Sequence, residues 1–231
     1  MSSRQEYNTE NVFPVRCWSF QATPELTNAS LEAAKKCDYR SYNDEVSMAM
    51  PTRGPGTTDD IQDKEEFKPL MSWIQKCIDT LHFDNGWCCD RIIVNKAWCN
   101  WAHPESGHCH IPHRHPMSYI SGIFYLTEGA PTLFLDPVDK REWSSMHLDG
   151  GPGSDCQFFY HGGPGGLILF PSWLVHGSNP NTDPIDRFSI AVNSFPQGDI
   201  NMGGWQRPMV NVPKVRGWDI LGPLPLKDYK K

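Results

Sequence analysis

Apolar residues recur at two different spacings along this chain, and the change falls near Gly86. From about Lys64 to His82, the residues Phe67, Leu70, Met71, Ile74, Ile78 and Leu81 follow one another at helical intervals. That spacing gathers them on one stripe of an α-helix. Asp63 and Glu66 predict a capping pair at its start, with Pro69 early enough in the helix to be tolerated. A stripe of this kind is a packing face, so the helix reads as a support laid against a sheet and carries no chemistry. Upstream, Val15 to Phe20 predicts a short strand. Thr23-Pro24-Glu25 predicts a helix start that continues over Leu26 to Lys36. Pro51, Gly54, Pro55 and Gly56 then break regular structure, and residues 1–12 read as a loose arm.

After Gly86 the pattern becomes that of short strands. The candidates are Arg91–Trp101, Met117–Leu126, Pro131–Leu135, Cys156–Tyr160, Gly166–Phe170 and Ile185–Phe195, separated by Gly, Pro, Asn and Asp turns. Such a series predicts a sandwich or barrel. No repeat at solenoid or propeller spacing interrupts it. The tail from Gly203, rich in Pro, Trp and Lys, reads as an extended strap. At 231 residues the chain is long enough for one well-buried domain and short for two. The expected organisation is a single domain over 1–231. It divides into a helical and extended support over 13–85, a β core over 86–196 and the strap over 197–231.

Charge and cysteines narrow the class. The formal net charge is −6 and no Lys/Arg block is present, which argues against wholesale neutralisation of phosphates and so against a nucleic-acid partner. No stretch approaches the roughly 18 consecutive apolar residues of a membrane span, and Met1 to Glu10 lacks the apolar core of a signal peptide. Eight cysteines without a Cys-x-x-Cys pair read as reduced thiols of a cytoplasmic protein. Cys88-Cys89 reads as two small residues entering a strand on opposite faces.

The chemistry concentrates in the histidines. Seven of the nine lie between His103 and His161, and four fall within His108 to His115. Histidines one residue apart on a strand point the same way, which makes His113 and His115 a candidate pair. His108 and His110 share the spacing but sit in a Gly- and Pro-rich approach. His113 and His115 are preferred because Met117, Tyr119, Ser121, Ile123 and Tyr125 continue their parity, provided Pro116 introduces no bulge. A solvated turn would account for this cluster alone. It would not account for Leu167 to His176, an apolar strand that ends in a tight turn and one polar residue able to bind metal. Three imidazoles from two distant segments can cap one face of a metal and leave the other open. That is the arrangement of a non-haem Fe(II) oxygenase, whose usual ligands are two His and one carboxylate.

Downstream, Arg187, Ser189, Ala191 and Asn193 share one parity while Phe188, Ile190 and Val192 share the other. An edge-strand arginine commonly makes an ordinary surface ion pair. With His176 close by in sequence, the polar face reads instead as the wall of a pocket. Arg187 and Ser189 can then hold the far carboxylate of 2-oxoglutarate, the arginine through a two-pronged charge-assisted bond. Asn100, Tyr119, Ser121 and Asn193 are further candidates for the pocket.

Several stretches now form an ordered set: Trp98-Cys99-Asn100, His113-Arg114-His115-Pro116, Ser121 to Leu126, Phe170 to His176, and Arg187-Phe188-Ser189-Ile190 with Asn193. In this order the chain resembles the 2-oxoglutarate/Fe(II)-dependent oxygenases, most narrowly those of marine bacteria and their phages that carry a His-x-His-Pro motif. The resemblance covers about residues 86–196. The Ser-Gly-x-Tyr element departs from the pattern, because Phe124 stands where the tyrosine belongs and Tyr125 follows it. The resemblance implies a mainly β chain with supporting α-helices and a double-stranded β-helix (jelly-roll, cupin-like) core. It implies Fe(II) as cofactor, 2-oxoglutarate as co-substrate, O2, and release of succinate and CO2. It further implies hydroxylation of a peptide side chain or small metabolite as the default outcome, and phage-encoded action in a bacterial host.

A second departure bears on the chemistry. The wider superfamily has Asp or Glu where this chain has His115, so the site is one negative charge short, which dianionic 2-oxoglutarate would partly offset. Alternatively His115 turns away and water or halide takes its place. A cupin-type metalloenzyme shares the architecture: Gly107 with His113-x-His115, and Gly165 with Pro171 and His176, fit the two halves of its motif. The expected Glu is missing, however, and Arg187-x-Ser189 has no role there. A non-catalytic jelly-roll binding module is the third reading, its nine tryptophans and seven tyrosines lining a surface.

Overall fold

The computed structural model describes residues 14–41, 55–58, 60–137, 157–200 and 210–212. In chain order the elements are β1 (Trp18–Gln21), α1 (Pro24–Ala34), β2 (Arg40–Ser41), β3 (Pro55–Thr57), α2 (Lys68–Asn85), β4 (Arg91–Ala102) and β5 (Ile120–Tyr125). They continue with β6 (Thr132–Leu135), β7 (Gln157–Tyr160), β8 (Gly166–Pro171), β9 (His176–Ser178), β10 (Arg187–Ile200) and β11 (Val210–Val212).

Thr23 caps α1 by accepting from Leu26 N–H at 3.3 Å, with Pro24 in the first turn as the sequence predicts. The helix stops at Ala34, and Lys36 and Cys37 N–H bond back to the Ala33 and Ala34 carbonyls. The second helix starts later than expected. Glu65–Phe67 forms one 3-10 turn, α2 proper begins at Lys68, and neither start carries a side-chain cap bond. Asp63 and Glu66 therefore make no capping pair. Pro69 supplies the reason: it is tolerated only in the first turn, and that fixes where the α-helix can begin. Gly86 ends α2 in the left-handed region (φ 60°), its N–H reaching the His82 and Phe83 carbonyls.

The strands form two sheets. The larger has the order β1-β8-β5-β10-β4-β3-β2, with β11 paired to β10; the smaller has the order β7-β6-β9. Their pairings are antiparallel throughout. Apolar residues fill both faces of the large sheet. On one face Phe124, Leu167, Leu169, Ile190 and Val192 pack with Leu70, Ile74 and Ile78 of α2. On the other a smaller cluster joins Tyr125, Ile168 and Phe170 of the large sheet to Phe134 of the small one. This is the two-sheet jelly roll, with helices outside and a cavity between the sheets.

The outer edge of β4 meets strand β3 only at Asn100, so its remaining backbone groups need other partners. Thr58 and Ile61 N–H donate to the Cys99 and Ala97 carbonyls, and side chains supply others. Buried Gln75 of α2 donates to Ile92 C=O at 2.8 Å and accepts from Val94 N–H at 2.9 Å. Gln62 accepts from Ala97 N–H and Thr58 from Cys99 N–H. Asp79 and Arg91 form a two-pronged ion pair at 2.9 and 2.6 Å that joins α2 to the start of β4. The helix is thus a clamp on the central strand pair as well as a packing face.

The strand expected over Met117–Leu126 spans only Ile120–Tyr125, because Pro116 and Met117 form a turn with Met117 at φ 60°. Met117 is 80% exposed, so the parity does not run through from His115. β10 continues to Ile200, past the expected end at Phe195. The arm over 1–12, the Lys140–Asp155 loop with its Gly150–Gly153 run, and most of the strap lie outside the described residues. Among the described residues no helix is long and apolar enough to cross a membrane.

Candidate metal centre

His113 and His176 are brought together by backbone pairing. They form an isolated antiparallel bridge, His113 N–H donating to His176 C=O at 2.8 Å and His176 N–H to His113 C=O at 2.9 Å. Directly opposed residues of such a pair project to the same face. The ladder continues on both sides: His115 N–H bonds Ser172 C=O, Ser178 N–H bonds His110 C=O, and Asn181 N–H bonds His108 C=O. Residues 108–115 therefore run along the free edge of β9 without forming a regular strand, since Pro112 and Pro116 have no N–H to give. Gly177 permits the close approach. A Cβ there would lie 2.6 Å from the His110 carbonyl oxygen and 3.2 Å from Pro112 N.

One ring nitrogen from each of His113, His115 and His176 lies within 4.8 Å of the others. His115 Nε2 and His176 Nε2 are 3.2 Å apart. Two nitrogens about 2.1 Å from one ion and at right angles would be about 3.0 Å apart. His113 Nδ1 is 2.7 Å from Ile111 C=O and His176 Nδ1 is 2.9 Å from Leu174 C=O. A carbonyl only accepts, so both rings carry the proton on Nδ1 and offer Nε2 as a lone pair. Burial lowers the pKa of His176 to about 3, against the raising effect of its bond to Leu174; burial and the neighbouring His113 lower that of His115 to about 4. Neutral imidazoles are what a metal requires. Phe170 lies 4.6 Å from the His176 ring, centroid to centroid, and Trp98 lies 5.7 Å from that of His115. The donor set fits a divalent transition metal. His115 faces inward rather than turning away.

The same cavity, about 270 Å³, is lined on its far wall by Asn100, Thr132, Arg187 and Ser189. β4 and β10 position three of these, Ser189 lying opposite Asn100 in register and Arg187 opposite Ala102. Arg187 is 5% exposed and forms no ion pair among the described residues; burial lowers its pKa. Asn100 is 7% exposed, and its Oδ1 has no hydrogen-bond partner. A buried cation and a buried amide oxygen without partners fit an anionic ligand with polar neighbours. Tyr125 OH and Thr132 Oγ1, 2.6 Å apart, stand beside this wall. Sequence spacing gave no sign of Thr132, because β6 is four residues long and shares no motif with β10.

Other candidates fall elsewhere. Tyr119 is exposed outside the cavity and packs edge-on against Trp87, because the Pro116-Met117 turn rotates it off the expected parity. Ser121 and Asn193 lie behind the centre: Ser121 Oγ is 2.9 Å from Asn193 Oδ1, and the Asn193 amide is 3.4 Å from His115 Nδ1. His110 lines the cavity but is not part of the three-nitrogen cluster.

Residues 96–193 match the family described as "Putative 2OG-Fe(II) oxygenase". The segment that matches is the one that carries the β core and the histidine cluster. The matched segment holds all three clustered histidines, Arg187 and Ser189. Solved structures agree on the fold. The epimerase SnoN in complex with Fe3+, alpha ketoglutarate and nogalamycin RO superposes with TM-score 0.59 at 10% identity, over 88% of this chain and 92% of that one. A Pseudomonas putida prolyl-4-hydroxylase gives 0.53 at 13% identity, over 80% and 94%. HygX from Streptomyces hygroscopicus with nickel and 2-oxoglutarate bound gives 0.51 at 11%, over 87% and 92%. No curated protein matches the chain. The SnoN and HygX structures hold a metal ion and the keto acid, and the three-histidine cluster of this chain fits a metal ion.

Proposed function

We propose that the chain is a 2-oxoglutarate/Fe(II)-dependent oxygenase in which His113, His115 and His176 hold the iron and Arg187 with Ser189 anchors the distal carboxylate of 2-oxoglutarate. The observation that carries this reading is the buried Arg187, without an ion pair among the described residues, in the same cavity as the three clustered imidazoles. A cupin that ignores 2-oxoglutarate would have no use for that arginine. When bound, iron supplies the oxygen chemistry that couples 2-oxoglutarate decarboxylation to substrate oxidation, with succinate and CO2 released. The chain's residues do the rest. The imidazoles stay neutral as ligands, and Arg187 and Ser189 fix one end of the co-substrate so that its other end meets the metal. Asn100 offers its free amide oxygen to a donor in the cavity, and Phe170 and Trp98 keep water from the rings.

The missing carboxylate has an electrostatic consequence. Three neutral ligands would leave a divalent iron with its full charge; the chelating carboxylate of 2-oxoglutarate would offset one unit, its other carboxylate being matched by Arg187. Metal and co-substrate should therefore bind with strong mutual support. The cavity lies just below the roughly 300 Å³ at which small-molecule pockets begin. With the co-substrate inside, the oxidised group of a small metabolite or peptide side chain enters at the mouth by Cys109 and Ile111, and hydroxylation is the default outcome. The test is an anaerobic absorption titration with Fe(II) and 2-oxoglutarate, followed by succinate release on substrate addition. His176→Ala is expected to abolish stoichiometric iron binding. Full iron retention in that variant would remove His176 from the ligand set.

A further inference from the structure

Behind His115 runs a chain of side-chain hydroxyls that ends in the large sheet. Asn193 lies 3.4 Å from His115 Nδ1, and Ser121 Oγ lies 2.9 Å from the other end of the Asn193 amide. Ser121 Oγ is 2.8 Å from Ser172 Oγ, which is 2.8 Å from Ser118 Oγ. Ser118 Oγ reaches Ser194 C=O at 3.2 Å. Ser121 and Ser172 are each 1% exposed, so water cannot complete their bonding.

Protons decide the direction of this chain. Four contacts need a donor: amide to Ser121, Ser121 to Ser172, Ser172 to Ser118, and Ser118 to the carbonyl. Three hydroxyls hold only three protons. With the amide oxygen toward Ser121, the chain is completed only by running backwards from Ser194 N–H, 3.3 Å from Ser118 Oγ. Ser118 Oγ then faces the Ile120 and Ser194 carbonyls at 3.3 and 3.2 Å with no proton to give them. With the amide nitrogen there, its N–H supplies the fourth proton and every link is satisfied in one direction, ending on Ser194 C=O. The oxygen and nitrogen of an amide are told apart only by their partners, and here the partners favour the nitrogen toward Ser121. The amide oxygen then faces His115 Nδ1. Only an Nδ1–H can meet it, so the His115 Nε2 is left as a lone pair toward His176.

We infer that Asn193, oriented by the Ser121–Ser172–Ser118 relay, is a positioning residue that fixes His115 in its metal-binding tautomer. The inference rests on His115 being a ligand. His113 and His176 obtain the same tautomer from backbone carbonyls, Ile111 and Leu174. Among the described residues His115 has no carbonyl partner, and the relay takes that part. It also explains why Ser172, which lines no part of the main cavity, is buried in the turn before the last histidine.

Metal affinity, measured with Co(II) and without turnover, tests this. Ser172→Ala leaves Ser121 free to donate to the amide oxygen, which turns the amide N–H toward His115 and favours the wrong tautomer. Loss of such an outer partner typically weakens metal binding about 10–100-fold, and about 10-fold is expected here. An aspartate has no N–H to misdirect. In the Asn193→Asp background Ser172→Ala should therefore leave Co(II) affinity unchanged. A purely structural role for Ser172 would weaken binding equally in both backgrounds, and that outcome overturns the relay. Long-range 1H–15N spectra of the metal-free protein should show His115 protonated on Nδ1; protonation on Nε2 would also overturn it. If His115→Ala binds Co(II) as the wild type does, the ligand assignment fails, a different result from equal affinity in wild type and Ser172→Ala.

Discussion

On one face of β10, Phe188, Ile190 and Val192 disappear into the apolar layer beneath α2. On the other, Arg187, Ser189 and Ala191 line a cavity, and Asn193 stands behind a candidate ligand. Both faces are buried, yet only one is satisfied by its own neighbours. The helix side holds side chains that pack on one another. Among the described residues, the cavity side holds a guanidinium without an ion pair and faces an amide oxygen without a donor. Burial alone thus does not distinguish core from site in this molecule; the satisfaction of buried polar groups does. The cavity wall is stability forgone for a ligand, and the helix side is where the stability resides.

Substitutions on the two faces should therefore move different quantities. Ile190→Ala removes a fully buried side chain from the helix side and should cost about 2–5 kcal/mol in denaturant unfolding. Fe(II) and 2-oxoglutarate affinities of the folded protein should stay within a few-fold. Arg187→Met, on the other face, should weaken 2-oxoglutarate binding by about 2–5 kcal/mol while iron remains. Its metal-free stability should hold or rise, because a lone buried charge gives way to an apolar side chain of similar length. If Arg187→Met unfolded as readily as Ile190→Ala, the guanidinium would have a structural partner and the contrast would collapse. Gln75→Leu sharpens the comparison from the helix side. It strands Ile92 C=O and Val94 N–H and should cost about 2–6 kcal/mol at roughly 1–3 per unsatisfied group, again without altering ligand affinity.

The two faces of β10 were legible because period-two alternation over Arg187 to Asn193 is long and unbroken, and the register with β4 preserves it as far as Asn193. The pairing of His113 with His176 was legible only as residue types. What joins them is a backbone bridge on the edge of a three-residue strand, too short to leave a pattern. The parity argument failed between His115 and Ser121, where Pro116 and Met117 turn the chain and send Tyr119 outward. Gln75 was hidden for a related reason. It sits among the apolar residues of a helix, and nothing in the local pattern reveals that it serves the backbone of a distant strand. Thr132 and the serine relay share that trait: each is defined by partners far away in sequence.

A pH slope also separates the faces. Burial lowers the folded-state pKa of His115 to about 4 and of His176 to about 3, while the unfolded chain keeps histidines near 6.5. Between those values the unfolded state binds more protons, so metal-free stability rises with pH. The contribution is complete above about pH 6.5 and is lost as pH falls toward 4 and then 3. His108, His110 and, on α2, His82 shift in the same direction and add to the slope, so no single substitution abolishes it. His176→Ala should flatten the dependence of metal-free unfolding between pH 6.5 and 4. Ile190→Val, on the helix side, should lower stability by a similar amount at every pH and leave the slope intact. Equal slopes in the wild type and His176→Ala would mean that the imidazole is not held neutral by burial, and the cavity face would lose its clearest physical mark.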